Sequence, residues 1–341
     1  MKFRVFATFV GPSLLLMFIF IAAPLAAVFW QSFHVTQPVY TTVVAETCTP
    51  GFINQICTTE SRIQLELDED GIPIRTTEFV GLQTYRSVLE LDRFWAAVKD
   101  FSWSKLMVID FWKALRFTLT FTLVTLPLVI GVGLLIALAV NSAAKTVRGQ
   151  IIFVSLLPFI ITPVIGALSI RWLFVGDGIL TAFLEWVIER DIAMLGHAWT
   201  IELLMLFYRV WHVAPFAFVV FYAGLQTVNN DTVESAVIDG ANRIERLRYV
   251  VIPHLMPLIV FVSLIHLMDA YRVFEEIVGF RSQGYVISLQ WLTYDFLTPD
   301  ETGNRAVSSA SASAMLTMVG IVIILVPLLR KTWRDHRAGL N

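Results

Sequence analysis

Charge is scarce in this 341-residue chain: Asp, Glu, Lys and Arg make up 15% of it, against 57% hydrophobic residues. The net charge is −2 and no long basic face is present, which excludes nucleic acid as an expected partner. No glycine is followed directly by lysine, so the Gly-Lys-Ser/Thr end of a phosphate-cradling P-loop is missing. His-Glu-x-x-His and Gly-x-Ser-x-Gly are missing too, which removes the commonest membrane protease and hydrolase readings. The chain is therefore expected not to be an enzyme by itself, with no catalytic residues. Cysteine is limited to Cys48 and Cys57, with no histidine close by in the sequence, so a metal site is not expected there.

What is abundant is long apolar runs, and the mean hydropathy is +0.71. A bilayer core about 30 Å thick takes roughly 20 apolar residues of helix, because unsatisfied backbone groups are costly in hydrocarbon. Val5 to Trp30 and Phe117 to Val140 carry no charged residue, and Ile151 to Ile170 is a third such run, ended by Arg171. The fourth, near Leu203 to Val228, holds Arg209 and His212; the fifth, Val250 to Met268, holds Pro253 and Pro257; the sixth is Ala306 to Leu329. The fold class expected is an all-α polytopic membrane protein of six spans. Lys2 and Arg4 before an apolar run ending Leu25-Ala26-Ala27 also fit a cleavable signal, but the run exceeds the usual 7 to 15 residues and reads better as a span.

Lys and Arg in short connections favour the cytoplasm. They fall at Lys2 and Arg4, at Lys145 and Arg148, at Arg243, Arg246 and Arg248, and at Arg330, Lys331, Arg334 and Arg337, which puts both termini inside. The organisation expected is a cytoplasmic amino terminus and first span (1–33), an external insertion (34–112), a core of five spans (113–330) with a cytoplasmic loop at 229–250, and a cytoplasmic tail (331–341). Alternation over Thr41 to Ala45 and Arg62 to Leu67, with the turn signal Asp70-Gly71, makes the insertion a candidate β-rich cap. In that external position Cys48 and Cys57 are expected to form a disulfide closing a small loop, with two free thiols as the alternative.

The loop carries the most specific signal. From Glu234 the chain reads Glu-Ser-Ala-Val-Ile-Asp-Gly-Ala-Asn, and it continues at Val250 as Val-Val-Ile-Pro. This resembles the EAA loop of binding-protein-dependent ABC importer permeases, in the carbohydrate-uptake group that includes the maltose and glycerol-phosphate systems. Ser235 stands where that family usually has Ala. Gly81-Leu82-Gln83-Thr84-Tyr85, Phe94-Trp95, Gly133 to Ala139 and Ala223-Gly224-Leu225-Gln226 are similar to the same group, whereas Gly279 to Gly284 departs from it. The resemblance implies the type I importer fold in the bacterial inner membrane, two ATPase subunits that hold ATP and Mg, a second homologous permease and a soluble solute-binding protein. It also makes Glu234, Ser235, Ala236, Asp239, Gly240 and Pro253 the ATPase-coupling residues.

Elementary physics supports the loop independently. Asp231 and Glu234 have the spacing of a capping box, and Gly240 suits the left-handed residue that ends a helix. A helix that short is marginal in water and needs a packing partner.

Polar groups within spans are expensive and face the interior, so Arg209, Trp211, His212, His266, Asp269, Tyr271, Ser308, Ser309, Ser311 and Ser313 are candidates for the substrate path. Each has a plainer reading: Arg209 and His212 at a span end, Asp269 paired with Arg272, Trp211 and Tyr271 in an interfacial belt, the serines as helix packing. The expected function is the permease subunit of an importer for a sugar, disaccharide or polyol. An ion-coupled secondary transporter, which calls for internal repeats that the sequence does not display, and a membrane-anchored sensor are the alternatives.

Overall fold

The long apolar runs are helical, the arrangement in which a segment satisfies its own backbone where water is absent. The structure, a computed structural model, describes residues 3–50, 55–68, 71, 74–176, 178–191, 193–301 and 303–338, with side chains over 8–43, 64–68, 71, 74–176, 178–191, 193–301, 303–330 and 333–334. Among these, the helical segments long and apolar enough to cross a membrane are Thr8–Gln31, Asp110–Ser142, Ala198–Leu225, Arg243–Tyr271 and Val307–Arg330. The third expected span, around Ile151 to Ile170, is not straight: Lys145–Ile160 and Pro163–Phe174 meet at an angle of 94°. The cause is Pro163. Its ring disfavours helical geometry in the residue before it, and Ile161 and Thr162 are extended with ψ of 134° and 138° before the proline restarts the helix.

The chain divides into two compact units. The first comprises the residues up to Leu91 together with Thr293–Met315. It opens with α1 (Phe3–Met17), a π turn at Phe18–Ala22 and α2 (Ala23–Gln31). Two antiparallel ladders follow, β1 (His34–Pro38) with β4 (Arg75–Phe79) and, inserted between them, β2 (Tyr40–Pro50) with β3 (Gln55–Leu65). The insertion is therefore strand-rich where alternation predicts it. The β2–β3 register sets Cys48 opposite Cys57, but their side chains lie outside those described, as does Asp70 of the expected turn. The helix α3 (Gln83–Leu89) is tied back by Tyr85, whose hydroxyl donates to Ser32 Oγ at 2.7 Å.

The second unit, Asp92–Leu292 with the residues from Leu316 on, holds most of the helices. After α4 (Leu91–Lys99) and α5 (Trp103–Leu106) come α6 (Asp110–Ser142), the two halves of the bent span, α7 (Lys145–Ile160) and α8 (Pro163–Phe174), and α9 (Ile179–Ile188). Next are α10 (Ala198–Leu225), the short α11 (Asn230–Ile238) and α12 (Arg243–Arg246), then a π turn at Leu247–Val251 and α13 (Ile252–Tyr271). The chain finishes with α14 (Glu275–Phe280), α15 (Leu289–Asp295) and α16 (Val307–Ala338).

The α6–α10 pair is the spine of this unit. Gly133 lets the two backbones close up, since a Cβ there would lie 2.6 Å from Ala217 Cβ. Such small-residue contacts substitute for the hydrophobic drive that lipid does not supply. Arg116 on α6 grips Glu202 on α10 through both terminal guanidinium nitrogens, with Nη1 donating to Oε2 at 3.0 Å. Phe117, Phe121, Met205, Tyr208, Ala270 and Ile277 form one buried cluster, and Val129, Ala137, Ala217, Phe221 and Leu255 form another.

Candidate functional site

The bend between α7 and α8 interrupts the helical ladder inside the unit, and α10 supplies what the interruption removes. His212 donates from Nε2 to the Ile161 carbonyl at 2.9 Å, and the Tyr208 hydroxyl donates to the Pro163 carbonyl at 2.7 Å. Irregular backbone at membrane depth survives where neighbouring side chains satisfy it or where it lines a cavity. Both conditions hold here. Phe159, Ile160, Ile161, Thr162 and Pro163 form one wall of a cavity of about 470 Å3. Arg209, His212, Val213 and Phe216 of α10, Ile265, His266 and Asp269 of α13, and Glu275 of α14 form the rest.

Arg209 organises the polar side of this cavity. Its side chain is only 4% exposed, donates from Nη1 to Glu276 Oε1 at 2.8 Å, and pairs through Nη2 with Asp269. Glu276 is 0% exposed, whereas the Asp269 side chain is 65% exposed. A buried ion is tolerable only when paired, and here one guanidinium neutralises a fully enclosed carboxylate while also holding an open one. Arg209 and His212 thus sit within α10 rather than at its end, because the helix begins at Ala198, and Asp269 pairs with Arg209 rather than with Arg272. His266 Nε2 lies 2.9 Å from Thr125 Oγ1, whose own proton goes to the Phe121 carbonyl at 2.7 Å. The imidazole is therefore the donor, and Nε2 carries its proton.

Sequence reasoning missed Glu276, Glu275 and Thr125. Glu275 and Glu276 stand outside the apolar runs, and only the fold carries α14 against α8 and α10. Trp211 is partly exposed beside Tyr208, with ring centroids 6.2 Å apart, and Tyr271 is buried with its hydroxyl where a Cβ on Gly320 would go; neither lines the cavity. Ser309 and Ser313 belong to the first unit. Ser309 borders a separate cavity of about 250 Å3 with Gln37, Glu78 and Thr84, and Ser313 Oγ lies 2.8 Å from Thr293 Oγ1.

The loop between α10 and α13 is a second site of different character. The expected box between Asp231 and Glu234 does not form. Asn229 takes the cap position and accepts from the Asp231 amide at 2.9 Å, which places Asp231 inside the first turn. At the other end Gly240 has φ of 81°, the Gly240 amide donates to Val237 O at 3.0 Å and the Ala241 amide to Ala236 O at 2.9 Å. That is a Schellman ending. A capping box follows at once, one helix later: Asn242 Oδ1 accepts from the Ile244 and Glu245 amides at 2.9 Å, and Glu245 Oε2 accepts from the Asn242 amide at 2.7 Å.

Ser235 donates to the Asp231 carbonyl at 2.8 Å, Asp239 caps the carboxyl end of α11, and Pro253 stands just past the π turn, in the first turn of α13. No residue of α11 or α12 is buried, and Ile238 and Ile244 are 86% and 76% exposed.

Comparison with known proteins agrees with this geometry. Residues 110–335 match the family described as binding-protein-dependent transport system inner membrane component. The probable ABC transporter permease protein YesP of Bacillus subtilis is 29% identical over 248 residues, covering 67% of this chain and 75% of that protein. The trehalose/maltose transport system permease protein MalF of Thermococcus litoralis is 26% identical over 272 residues, 79% of this chain and 84% of that one. Among solved structures, a bacterial ABC transporter involved in the import of the acidic polysaccharide alginate shares the fold, with a TM-score of 0.57 at 22% identity over 71% of this chain and 83% of its own. The chain belongs to the family of inner-membrane components of binding-protein-dependent transport systems.

Proposed function

We propose that the chain is the permease subunit of an importer that passes a carbohydrate, whether sugar, disaccharide or polyol, across the inner membrane on energy from separate ATPase subunits. The observation that carries this reading is the loop from Asn229 to Val251. Two very short helices, capped at Asn229 and Asn242 and joined through the Schellman turn at Gly240, hold Ile238 and Ile244 out in the open. Isolated helices of this length do not persist in water, and exposed apolar residues at the end of such a module suit a protein partner. Glu234, Ser235, Ala236, Asp239, Gly240 and Pro253 then serve as the coupling surface, with ATP and Mg bound by the partners.

The carbohydrate reading draws on relatives whose names specify trehalose/maltose and arabinooligosaccharides. A second permease, two ATPase subunits and a soluble receptor complete the complex. Both termini and the loop face the cytoplasm, following the distribution of Lys and Arg. The β2–β3 hairpin lies outside, where its opposed Cys48 and Cys57 form a disulfide. Within the core, the cavity walled by the α7–α8 bend and by Arg209, His212, His266 and Asp269 lies on the substrate path. Alternating access follows if ATPase closure pulls on the loop and so on α10 and α13, which flank both it and the cavity.

Reconstitution tests this directly. Proteoliposomes holding the chain with its partner subunits should accumulate sugar only when ATP and the soluble receptor are both supplied. Uptake driven instead by an ion gradient without ATP would replace this reading with a secondary transporter.

A further inference from the structure

The wall of the α10–α13 cavity has one cation and an excess of anions. Among the described residues lining it Arg209 is the one Lys or Arg, while Asp269 and Glu275 line it as carboxylates and Glu276 sits behind on the same guanidinium. The α7–α8 bend contributes no charged group. With one positive group against three carboxylates, the formal charge of the cluster is −2, set in a low-dielectric region where charges act strongly on whatever enters.

A second, independent observation concerns hydrogen bonding. Three lining side chains that are more than nine-tenths buried, Arg209, His212 and His266, each keep a polar atom without a partner: Arg209 Nε, His212 Nδ1 and His266 Nδ1. Both imidazoles spend their Nε2 proton, on Ile161 O and on Thr125 Oγ1, and in the Nε2–H tautomer Nδ1 is left as an acceptor. The set thus holds two acceptors and one donor, besides the open Asp269 carboxylate. Hydroxyls both donate and accept and can meet all of them, whereas a carboxylate or phosphate only accepts. These atoms are closed to solvent in this state, so contact with a solute belongs to the state in which the helices have parted.

We infer that the cavity selects against anions, admitting polyhydroxylated solutes that carry no acidic group and rejecting sugar acids and sugar phosphates. The inference rests on the importer reading for its solute but not for its charge. A cysteine placed in the wall as Ile265→Cys, with Cys48 and Cys57 replaced by serine, reports the local field in the assembled transporter in lipid nanodiscs. Three methanethiosulfonates serve as probes, bearing a trimethylammonium, a hydroxyl or a sulfonate group.

The expected order of rates is cation, then neutral hydroxyl, then anion, with the cation-to-anion ratio about tenfold or more above that of free cysteine. Glu275→Gln should lower that ratio about threefold or more, and it disturbs none of the contacts described for Arg209. Asp269→Asn should do the same as long as the complex assembles. A ratio equal to that of free cysteine, or one that neutralising Glu275 leaves unchanged, overturns the inference. Absence of ATP-driven sugar uptake by the wild-type complex, with the charge ratio intact, would break the importer reading alone.

Discussion

The cavity and the loop invert the usual placement of residues in opposite ways. The cavity buries Arg209 and Glu276 among apolar helices, while the loop leaves Ile238 and Ile244 in the open. Each arrangement is costly by itself, and the two costs are met differently. The enclosed Glu276 is paired within the chain, by a guanidinium that Asp269 shares, although the cluster keeps an excess of negative charge. The loop has only its caps and its glycine turn to hold its shape, and its apolar residues lack any internal partner among the described residues. The buried ion pair of the cavity is therefore met inside the chain, whereas the loop offers open apolar side chains, as the proposed coupling role requires.

The sharpest way to break this contrast is to remove the internal compensation. Arg209→Met strands the enclosed Glu276 carboxylate and should destabilise the protein by about 3–5 kcal/mol, read as a large fall in the midpoint of thermal unfolding in detergent. Removing the carboxylate as well, in Arg209→Met with Glu276→Leu, should recover much of that loss, since an absent pair costs far less than half a pair. A double variant as unstable as the single one would mean that Arg209 acts through packing alone.

Disturbing the loop should have the opposite signature, with the spans unharmed and assembly impaired. Gly240→Val forces a β-branched residue to φ of 81°, a strain of about 1–2 kcal/mol, while its Cβ would meet no neighbouring atom. Because no residue of α11 or α12 is buried, the strain is relieved by local fraying of the loop: the unfolding midpoint of the isolated chain should barely move, and recovery of the ATPase subunit on co-purification should fall about tenfold. Asn242→Ala removes the acceptor for two amides and should weaken the same association by about 1 kcal/mol, a smaller fall. Ile244→Asp tests the apolar contact itself. Because that side chain is exposed, the substitution should leave the chain's own stability within about 0.5 kcal/mol and still reduce ATPase recovery.

The two regions also differ in how far the sequence discloses them. The loop is legible because its determinants are local. Glu234 to Pro253 forms one contiguous motif, and the left-handed turn at Gly240 needs only glycine and the helix before it. Even so, the caps fall at Asn229 and Asn242 rather than at Asp231, since each Asn is the extended residue just before a helix begins, and that detail depends on where the helices start.

The cavity is legible only in part. Arg209, His212, His266 and Asp269 stand out as polar residues in apolar runs, but Asp269 meets Arg209 across 60 residues of chain, and Arg272 is simply its nearer neighbour in sequence. Glu276 and Thr125 attract no notice until α14 and α6 are packed against the rest. The bend at Pro163 explains why the third apolar run, uniform in hydropathy, is not one straight helix: a periodicity count does not register the extended pair Ile161-Thr162 ahead of a proline.

The central claim is that the loop transmits ATP-driven work to a cavity the chain has already built. The most direct test is ATP-dependent sugar uptake by proteoliposomes containing the full complex with either the wild-type chain or Gly240→Val, each checked for an unchanged unfolding midpoint. Uptake is expected in the first and its loss in the second. Undiminished ATP-driven uptake by a folded Gly240→Val complex would contradict it.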